Sequence, residues 1–447
     1  MPEPTRLMAA EPQDLVSAEL DRLAGDLPAL GIAVSGGGDS LALLHMAHAW
    51  GTARGVRIEA ATVDHRLRPE SAAEAARVGS MAAALGIPHA VLVWRHWGVE
   101  GNLMDAARRA RLRLLAAWAR DRSLGAVALG HTQDDQAETL LMRLARGAGI
   151  DGLSGMAAAR DQEGIRWLRP MLGLRRPALR EWLARRNIGW IDDPTNEDAA
   201  YDRVRARRAI RALELPVEAL ARSAAHLAEA RAALAEAAVA VADGVAADRG
   251  TLRLPRRALA ASPEIRRRLI TAALRWVTGA DYPPRGEDVG RLIATLTAGG
   301  QGTLDGVIAR VKGEGIEFLR EPAAAAQRGA VGPGPFPSRA YCEQSTGLFA
   351  GRLPAQSVRV EEKPRDVVWD RRWRLTGLPD SATVAAAGET ALAGRNWRAS
   401  GLSRLALASS PAVVIDGRVI LPLLEASSVS AMPLRGVQDF LAILRAH

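Results

Sequence analysis

Between residues 28 and 146, four short and almost continuously apolar runs alternate with four longer amphipathic ones. LGIAVS (30–35), IEAATVD (58–64), PHAVLVW (88–94) and GAVALGHT (125–132) have the length and content of strands. SLALLHMAHAW (40–50), SAAEAARVGSMAAALG (71–86), NLMDAARRARLRLLAAWARD (102–121) and DDQAETLLMRLARG (134–147) follow them with helical periodicity. A strand with no polar alternation is buried on both faces, and a helix between consecutive strands makes them parallel. The pattern predicts an α/β domain with a parallel sheet covered on both sides, and ligands in such sheets lie beyond the carboxyl ends of the strands. Those ends carry Ser35-Gly36-Gly37-Gly38-Asp39, Asp64-His65, Trp94-Arg95 and Gly130-His131-Thr132.

A chain of 447 residues is too long for one core. Residues 1–213 are expected to form the α/β domain. From 214 to 320 the periodicity is mostly helical, closed by GTLDGVIARVKGEGIEFLRE, which reads as a hairpin. The Ala/Gly/Pro-rich stretch 321–340 reads as a linker. Short alternating runs such as SVRVEE and PAVVIDGRVILPLL predict a small strand-rich domain over 341–447. No apolar run approaches the ~20 residues that cross a bilayer. The first 15 residues have no h-region, so a cytoplasmic chain without a membrane partner is expected. The single cysteine, Cys342, excludes an internal disulfide and a CxxC motif. The net charge is +9, carried almost wholly by arginine. Composition accounts for the arginine preference, and the excess of positive charge favours a polyanionic partner such as nucleic acid.

The glycine loop after the first strand suits an anion. Glycines let the backbone approach a ligand, and the amides of the loop and the first helical turn then point at it. Ser35 and Ser40 can add hydroxyls. No lysine closes the loop, so it is not a Walker loop; a tight turn whose glycines serve packing alone is the competing reading, weakened by the polar Ser35, Asp39 and Ser40.

SGGGDS after a buried strand resembles the signature of the PP-loop, or N-type, ATP pyrophosphatases. The resemblance implies a parallel-sheet ATPase domain in which Ser35, Gly36, Gly37, Gly38, Asp39 and Ser40 hold the departing pyrophosphate of ATP. Asp39 would hold Mg2+, a hard cation that prefers oxygen, and Val63, Asp64 and His65 would lie at the adenosine. Within that superfamily, VDHRLRPES (63–71), GNLMDAARRARLRLL (101–115), HTQDDQAETLLMRLARGAGIDGLSGM (131–156), RPMLGLRRPALREWL (169–183) and IDDPTNEDAAYDRVRARRAI (191–210) resemble, in order, the motifs of the tRNA(Ile)-lysidine synthetase family. Asn102, Arg108 and Arg111 match; Leu112, Thr195 and Val204 depart from the usual tyrosine, serine and asparagine. Thiolating members relay sulfur through cysteines or a cluster, a route closed to a chain with Cys342 alone.

The resemblance implies a ligase with two substrates beside ATP: tRNA(Ile) with a CAU anticodon and free L-lysine. ATP adenylates the C2 oxygen of the wobble cytidine, and the lysine ε-amine displaces AMP. That amine has a pKa of about 10.4, so freeing it at pH 7 costs roughly 4–5 kcal/mol. Carboxylates that hold the ammonium and then take its proton would serve the step. On the helix of DDQAETLLMRLARG, Ala137, Leu140, Leu141 and Leu144 form an apolar stripe, and Asp135 and Glu138 project together away from it. By themselves these read first as acids placed at a helix N-terminus on a solvated face; with the motifs, the order reverses and they become the lysine-binding pair. His131 and Arg108 are candidates to steady the α-phosphate. Arg203, Arg205, Arg207, Arg208 and Arg211 crowd one short segment, as a solvated face or as phosphate contacts to the tRNA. Another PP-loop adenylating ligase acting on a different base is the alternative enzyme, and a tRNA-binding protein with a relic ATP site the alternative outside catalysis; intact Ser35, Asp39 and Ser40 speak against the relic.

Overall fold

The computed structural model describes residues 11–66, 69–95, 103–191, 202–280, 282–327 and 365–446. The chain divides into two compact units, Met1–Arg231 and Ala232–His447.

The first unit runs α1 (Pro12–Ala24), β1 (Ala29–Ala33), α2 (Gly38–Arg54), β2 (Arg57–Asp64), α3 (Ser71–Ala84), β3 (His89–Val93), α4 (Leu103–Asp121), β4 (Ala126–Leu129), α5 (Gln133–Leu144), α6 (Ile150–Leu153), β5 (Ala159–Gln162), β6 (Ile165–Leu168), α7 (Arg176–Ala184) and α8 (Asp202–Ala212); the unit boundary falls within α9 (Val217–Val241). The strands form one sheet in the order β3-β2-β1-β4-β6-β5, parallel except for β5 at the edge. The four strand–helix units stand where the hydrophobic pattern puts them. β5 has no apolar signal, since ARDQ is polar and half or fully exposed. Glu163 and Gly164 both take positive φ, 56° and 69°, which is the tight-hairpin conformation that turns β5 back antiparallel on β6.

Alternate residues of β1 enter opposite cores. Leu30 and Ile32 join α1, α2, α3 and α7 through Leu20, Leu43, Val78 and Leu179. Ala29 and Ala33 join α4 through Leu115 and Trp118. A Cβ on Gly31 would lie 2.8 Å from the Trp118 ring, so the small residues of this face make room for the indole. The chain goes from β1 outward through β2 and β3, then crosses back to β4 on the other side of β1. The carboxyl ends of β1 and β4 therefore flank the topological switch point, the crevice where an open α/β sheet binds its ligand.

The second unit continues with β7 (Ala246–Asp248), β8 (Thr251–Pro255), α10 (Pro263–Thr278), α11 (Gly286–Thr297), β9 (Gln301–Leu304), β10 (Val307–Lys312), β11 (Gly315–Arg320) and α12 (Pro322–Ala326). Its five-stranded antiparallel sheet, β7-β8-β11-β10-β9, packs Leu252, Leu254, Ile316 and Phe318 against Leu269 and Ile270 of α10. The expected hairpin is thus three strands of a larger sheet. Beyond lie β12 (Arg365–Trp369), β13 (Trp373–Leu378), β14 (Thr383–Ala386), α13 (Arg404–Ala408), β15 (Pro411–Ile415), β16 (Arg418–Ile420), β17 (Ser430–Pro433) and α14 (Val437–Arg445), with sheets β12-β13-β17 and β14-β15-β16. Phe440 and Leu444 of α14 return to the α10 core. SVRVEE and most of the stretch read as a linker fall outside the described residues. Among the described residues, no helix is long and apolar enough to cross a membrane.

Candidate active site

The glycine loop joins β1 to α2. Gly36 takes φ 87°, closed to most side chains, and a Cβ there would lie 2.8 Å from Ile191 Cδ1. Gly37 is different: a Cβ on it would meet nothing nearer than Ser35 Oγ at 3.7 Å. Gly37 is the N-cap of α2, where glycine is common, and the open space around it leaves its backbone accessible to a ligand. Ser40 braces the loop, its hydroxyl accepting from Ser35 N (3.1 Å) and donating to Gly37 O (2.9 Å). Its hydroxyl is therefore engaged within the loop, and Ser35 Oγ lies 3.2 Å from it. Asp39 stands in the first turn of α2.

Gly130, at the end of β4, would place a Cβ 3.0 Å from Ser40 Cα and 3.2 Å from Asp39 C, so glycine lets the two strand ends close on each other. Thr132 then caps α5. Its hydroxyl accepts from Asp135 N, and Asp135 Oδ2 accepts from Thr132 N (2.8 Å) and Thr132 Oγ1 (3.0 Å). This reciprocal box locks the Asp135 rotamer. Asp135 and Glu138 do share a side of α5, as their spacing demands, but it is not a solvated side: they are 6% and 2% exposed. The apolar stripe is displaced accordingly, with Ala137 and Leu140 buried and Leu144 57% exposed.

Arginines from α7 and α8 do the burying. Arg176 donates from Nε to Asp39 Oδ2 (2.8 Å), from Nη2 to Asp135 Oδ1 (3.2 Å) and from Nη1 to Glu138 Oε1 (3.2 Å). One guanidinium thus joins the loop aspartate to both acids of α5. Asp134 fixes its backbone, accepting from Arg176 N (2.8 Å) and from Arg175 Nε (3.3 Å). Arg207 donates to Glu138 Oε1 (2.8 Å), and Arg203 Nη1 lies 3.9 Å from Asp135 Oδ1. Arg205 and Arg208 lie exposed, with Arg205 paired to Asp202. Two oxygens remain: Asp39 Oδ1 and Glu138 Oε2 are buried and have no hydrogen-bond donor among the described residues.

Burial pushes the Asp39 carboxyl above its ordinary value, with Arg176 opposing. Burial acts the same way on Asp135, but Arg176 and Arg203 outweigh it and hold that carboxyl below its ordinary range. His131 is pushed down to about 3 by burial, against Asp135 and together with Arg169, Arg203 and Arg111. It is neutral at physiological pH. Its Nδ1 accepts from Arg169 Nε (3.2 Å), which assigns the ring proton to Nε2 and makes that atom a donor. Arg108 is exposed on α4 and Arg111 half-buried, and burial, Arg203 and Arg108 lower the Arg111 pKa. At the end of β2, half-buried Val63 precedes His65, whose ring meets Trp94 edge-on at 5.8 Å. Asn102, Thr195 and Cys342 lie outside the described residues.

A family model described as a PP-loop domain matches residues 13–214. A tRNA(Ile)-lysidine synthase from Ruegeria pomeroyi is 38% identical over 451 residues, covering 99% of this chain and all of the relative. The chain belongs to the tRNA(Ile)-lysidine synthase family. The synthase of Methylobacterium nodulans is 40% identical over 336 residues, 70% of this chain and 98% of its own, and that of Bradyrhizobium diazoefficiens 47% identical over 203 residues, 44% and 56%. As a family member the chain is a PP-loop ligase that uses ATP.

The donor set fits a magnesium ion held by one carboxylate. Among the described residues no three His, Cys, Asp or Glu side chains converge as a protein-built metal cage, and Mg2+ is commonly bound by one or two carboxylates together with substrate phosphates. Asp39 Oδ1, at the mouth of the phosphate loop and without a donor, is such an oxygen. Sequence reasoning passed over Arg176, although the LRRPAL segment that holds it was in view. It also passed over the Thr132 box, for which T-Q-D-D is itself a helix-start signal.

Proposed function

We propose that this chain makes lysidine at the wobble cytidine of the CAU anticodon of tRNA(Ile), from ATP and free L-lysine. The observation that carries the reading is the buried pair Asp135–Glu138, tied by one arginine to the aspartate of the phosphate loop. Amine chemistry and nucleotide chemistry need to meet at one place, and these residues supply it.

In the first step the cytosine C2 oxygen attacks the α-phosphorus and the bond to pyrophosphate breaks. Ser35, Gly36, Gly37, Gly38 and Asp39 line the leaving group, with Ser40 bracing them; Val63 and His65 flank the adenosine. Asp39 would hold the magnesium ion, whose charge, when bound, offsets that of the departing pyrophosphate. Neutral His131 donates from Nε2 to a phosphate oxygen, and Arg108 supplies positive charge at its rim. In the second step lysine Nζ attacks C2, the C2–O bond breaks, and AMP leaves with the oxygen. Asp135 and Glu138 first hold the ammonium, and Glu138 Oε2, which accepts no other hydrogen bond, takes a proton as attack proceeds. The exposed Arg205 and Arg208 contact tRNA phosphates; Arg203 and Arg207, drawn to the acids in this structure, stand between the tRNA and the lysine. The target base reaches the crevice unstacked, as an anticodon loop allows. We assign catalysis and the α8 phosphate contacts to residues 1–213 and further tRNA contacts to the 214–320 region, with a strand-rich 341–447 region beyond it, in a cytoplasmic enzyme.

The test is direct. Protein, ATP, magnesium, radiolabelled lysine and a CAU-anticodon tRNA(Ile) transcript are incubated and label in the RNA is counted. Incorporation dependent on ATP is expected. No incorporation, with ATP–pyrophosphate exchange on another substrate, would move the assignment to a different adenylating ligase.

A further inference from the structure

Arg176 bridges the two halves of the site, from Asp39 of the loop to Asp135 and Glu138 of α5. Its backbone cannot shift readily, because Asp134 holds its amide and Leu179, Trp182 and Leu183 root α7 in the core. Its side chain is 17% exposed and reaches three carboxylates with three different nitrogens. Around those carboxylates stand Arg176, Arg207 and Arg203, with Arg180 also acting on the charge of Asp39. A lysine ammonium entering the cluster therefore meets acids already paired. Triphosphate arriving at the loop changes the balance. It places several negative charges beside Asp39, the residue to which Arg176 donates its shortest hydrogen bond, and a guanidinium pairs well with phosphate oxygens.

We propose that Arg176 couples the nucleotide half of the site to the lysine half: the phosphates of ATP draw its guanidinium away from Asp135 and Glu138, and that pair is thereby opened to the lysine ammonium. The inference rests on the assignment of Asp135 and Glu138 to lysine. Arg176 is on this view a positioning residue that acts through the acids. Coupling of this kind is reciprocal, so lysine also tightens nucleotide binding by the same factor.

The experiment measures binding, separately from turnover. L-lysine is titrated calorimetrically into the full chain, alone and with a saturating non-hydrolysable ATP analogue and magnesium. In the wild type the analogue is expected to tighten lysine binding by roughly tenfold or more, within the usual range of coupling between sites. In Arg176→Gln the acids lose the partner they share with Asp39 from the start, and only Arg207 and Arg203 remain beside them. Lysine alone then binds more tightly than to the wild type, and the analogue changes its affinity by less than about twofold, the coupling having gone with the guanidinium. Arg176→Lys keeps the charge but reaches one acid at a time, so it shows intermediate coupling and serves if the glutamine variant is poorly folded. Wild-type coupling in either variant, or no coupling in a wild type that binds and incorporates lysine, overturns the inference and leaves the lysine assignment standing. A wild type that binds no lysine with or without the analogue overturns both.

Discussion

Each unit of this chain buries a carboxylate among arginines, and the two clusters differ in what is left over. In the second unit Asp370 accepts from Arg372 Nε (2.9 Å) and lies 3.4 Å from Arg320 Nε. Arg372 Nη2 also donates to Ser409 O, and Arg320 Nη1 and Nη2 donate to Asp305 O, Gly306 O and Ala324 O; the side chains are 5% and 8% exposed. That cluster joins the end of β11 to the turn before β13, and its buried atom without a hydrogen bond among the described residues is a donor, Arg320 Nε. In the first unit Arg176, Arg207 and Arg203 are 17%, 27% and 40% exposed, none gives a hydrogen bond to a backbone carbonyl among the described contacts, and two carboxylate oxygens have no donor. Burial alone does not separate structure from function here; carboxylate oxygens left without a donor do.

Substitution at matched positions breaks the comparison most sharply. Glu138→Gln keeps shape and removes the charge and the proton acceptor. Lysine transfer to tRNA should fall by about 10²–10⁴-fold, the usual worth of a positioned acid or base, while ATP binding holds. The isosteric amide can still accept from Arg176 and Arg207, which keeps the loss of melting temperature small beside that of Asp370→Ala. Asp370→Ala should do the reverse. Removing one partner of a buried pair costs about 3–5 kcal/mol, so the melting temperature drops while lysine KM and turnover of the folded fraction stay as in the wild type. Comparable activity loss in both variants would erase the distinction.

A smaller effect separates the two faces of α8. Val204, Ala206 and Ile210 are buried, Arg203 and Arg207 lie one turn apart toward the acids, and Arg205 and Arg208 face out. Each phosphate contact contributes about 0.7–0.9 to the slope of log K against log salt. Arg205→Ala with Arg208→Ala should therefore reduce that slope for tRNA by about 1.4–1.8 and leave lysine KM alone. Arg203→Ala with Arg207→Ala should change lysine KM more than the slope. Equal slopes for both pairs would mean that the face turned to the acids binds phosphate as well.

The sequence-to-structure record follows the same physical divide. The βα units of 28–146 were legible because burial on two faces writes itself as unbroken apolar runs, and the loop because glycine and serine next to a buried strand have few other uses. β5 was not, since a polar edge strand is set by a hairpin turn and leaves no hydrophobic trace. Asp135 and Glu138 could be paired from their spacing, yet their burial could not be foreseen: it comes from Arg176, 137 residues from Asp39 and 38 from Glu138. No local pattern marks a side chain whose role exists only where α2, α5 and α7 converge. The division of α8 into two faces was within reach, because Val204 and Ile210 already define the apolar side of a helix.

The smallest expected effect is a pH effect, and it too divides the units. Among the described residues every histidine belongs to the first unit, and burial lowers His45, His65, His89 and His131 below their ordinary value. A group whose folded pKa is depressed binds fewer protons folded than unfolded below its ordinary value, so stability falls as the pH drops from about 6.5 toward the folded value. For His131, with a folded value of about 3, acidification from pH 7.5 to 6 should cost about 0.8 kcal/mol. Thermal melts at the two pH values should show the first unit's transition moving down and the second unit's holding still. His131→Asn should shrink that shift by about 0.8 kcal/mol, roughly 1.5–3 °C for a unit of this size. A shift of equal size in the variant would mean that the His131 pKa is not depressed in the folded enzyme, and a larger one that His131 is already protonated there, a cation at the phosphate where a neutral donor is assigned.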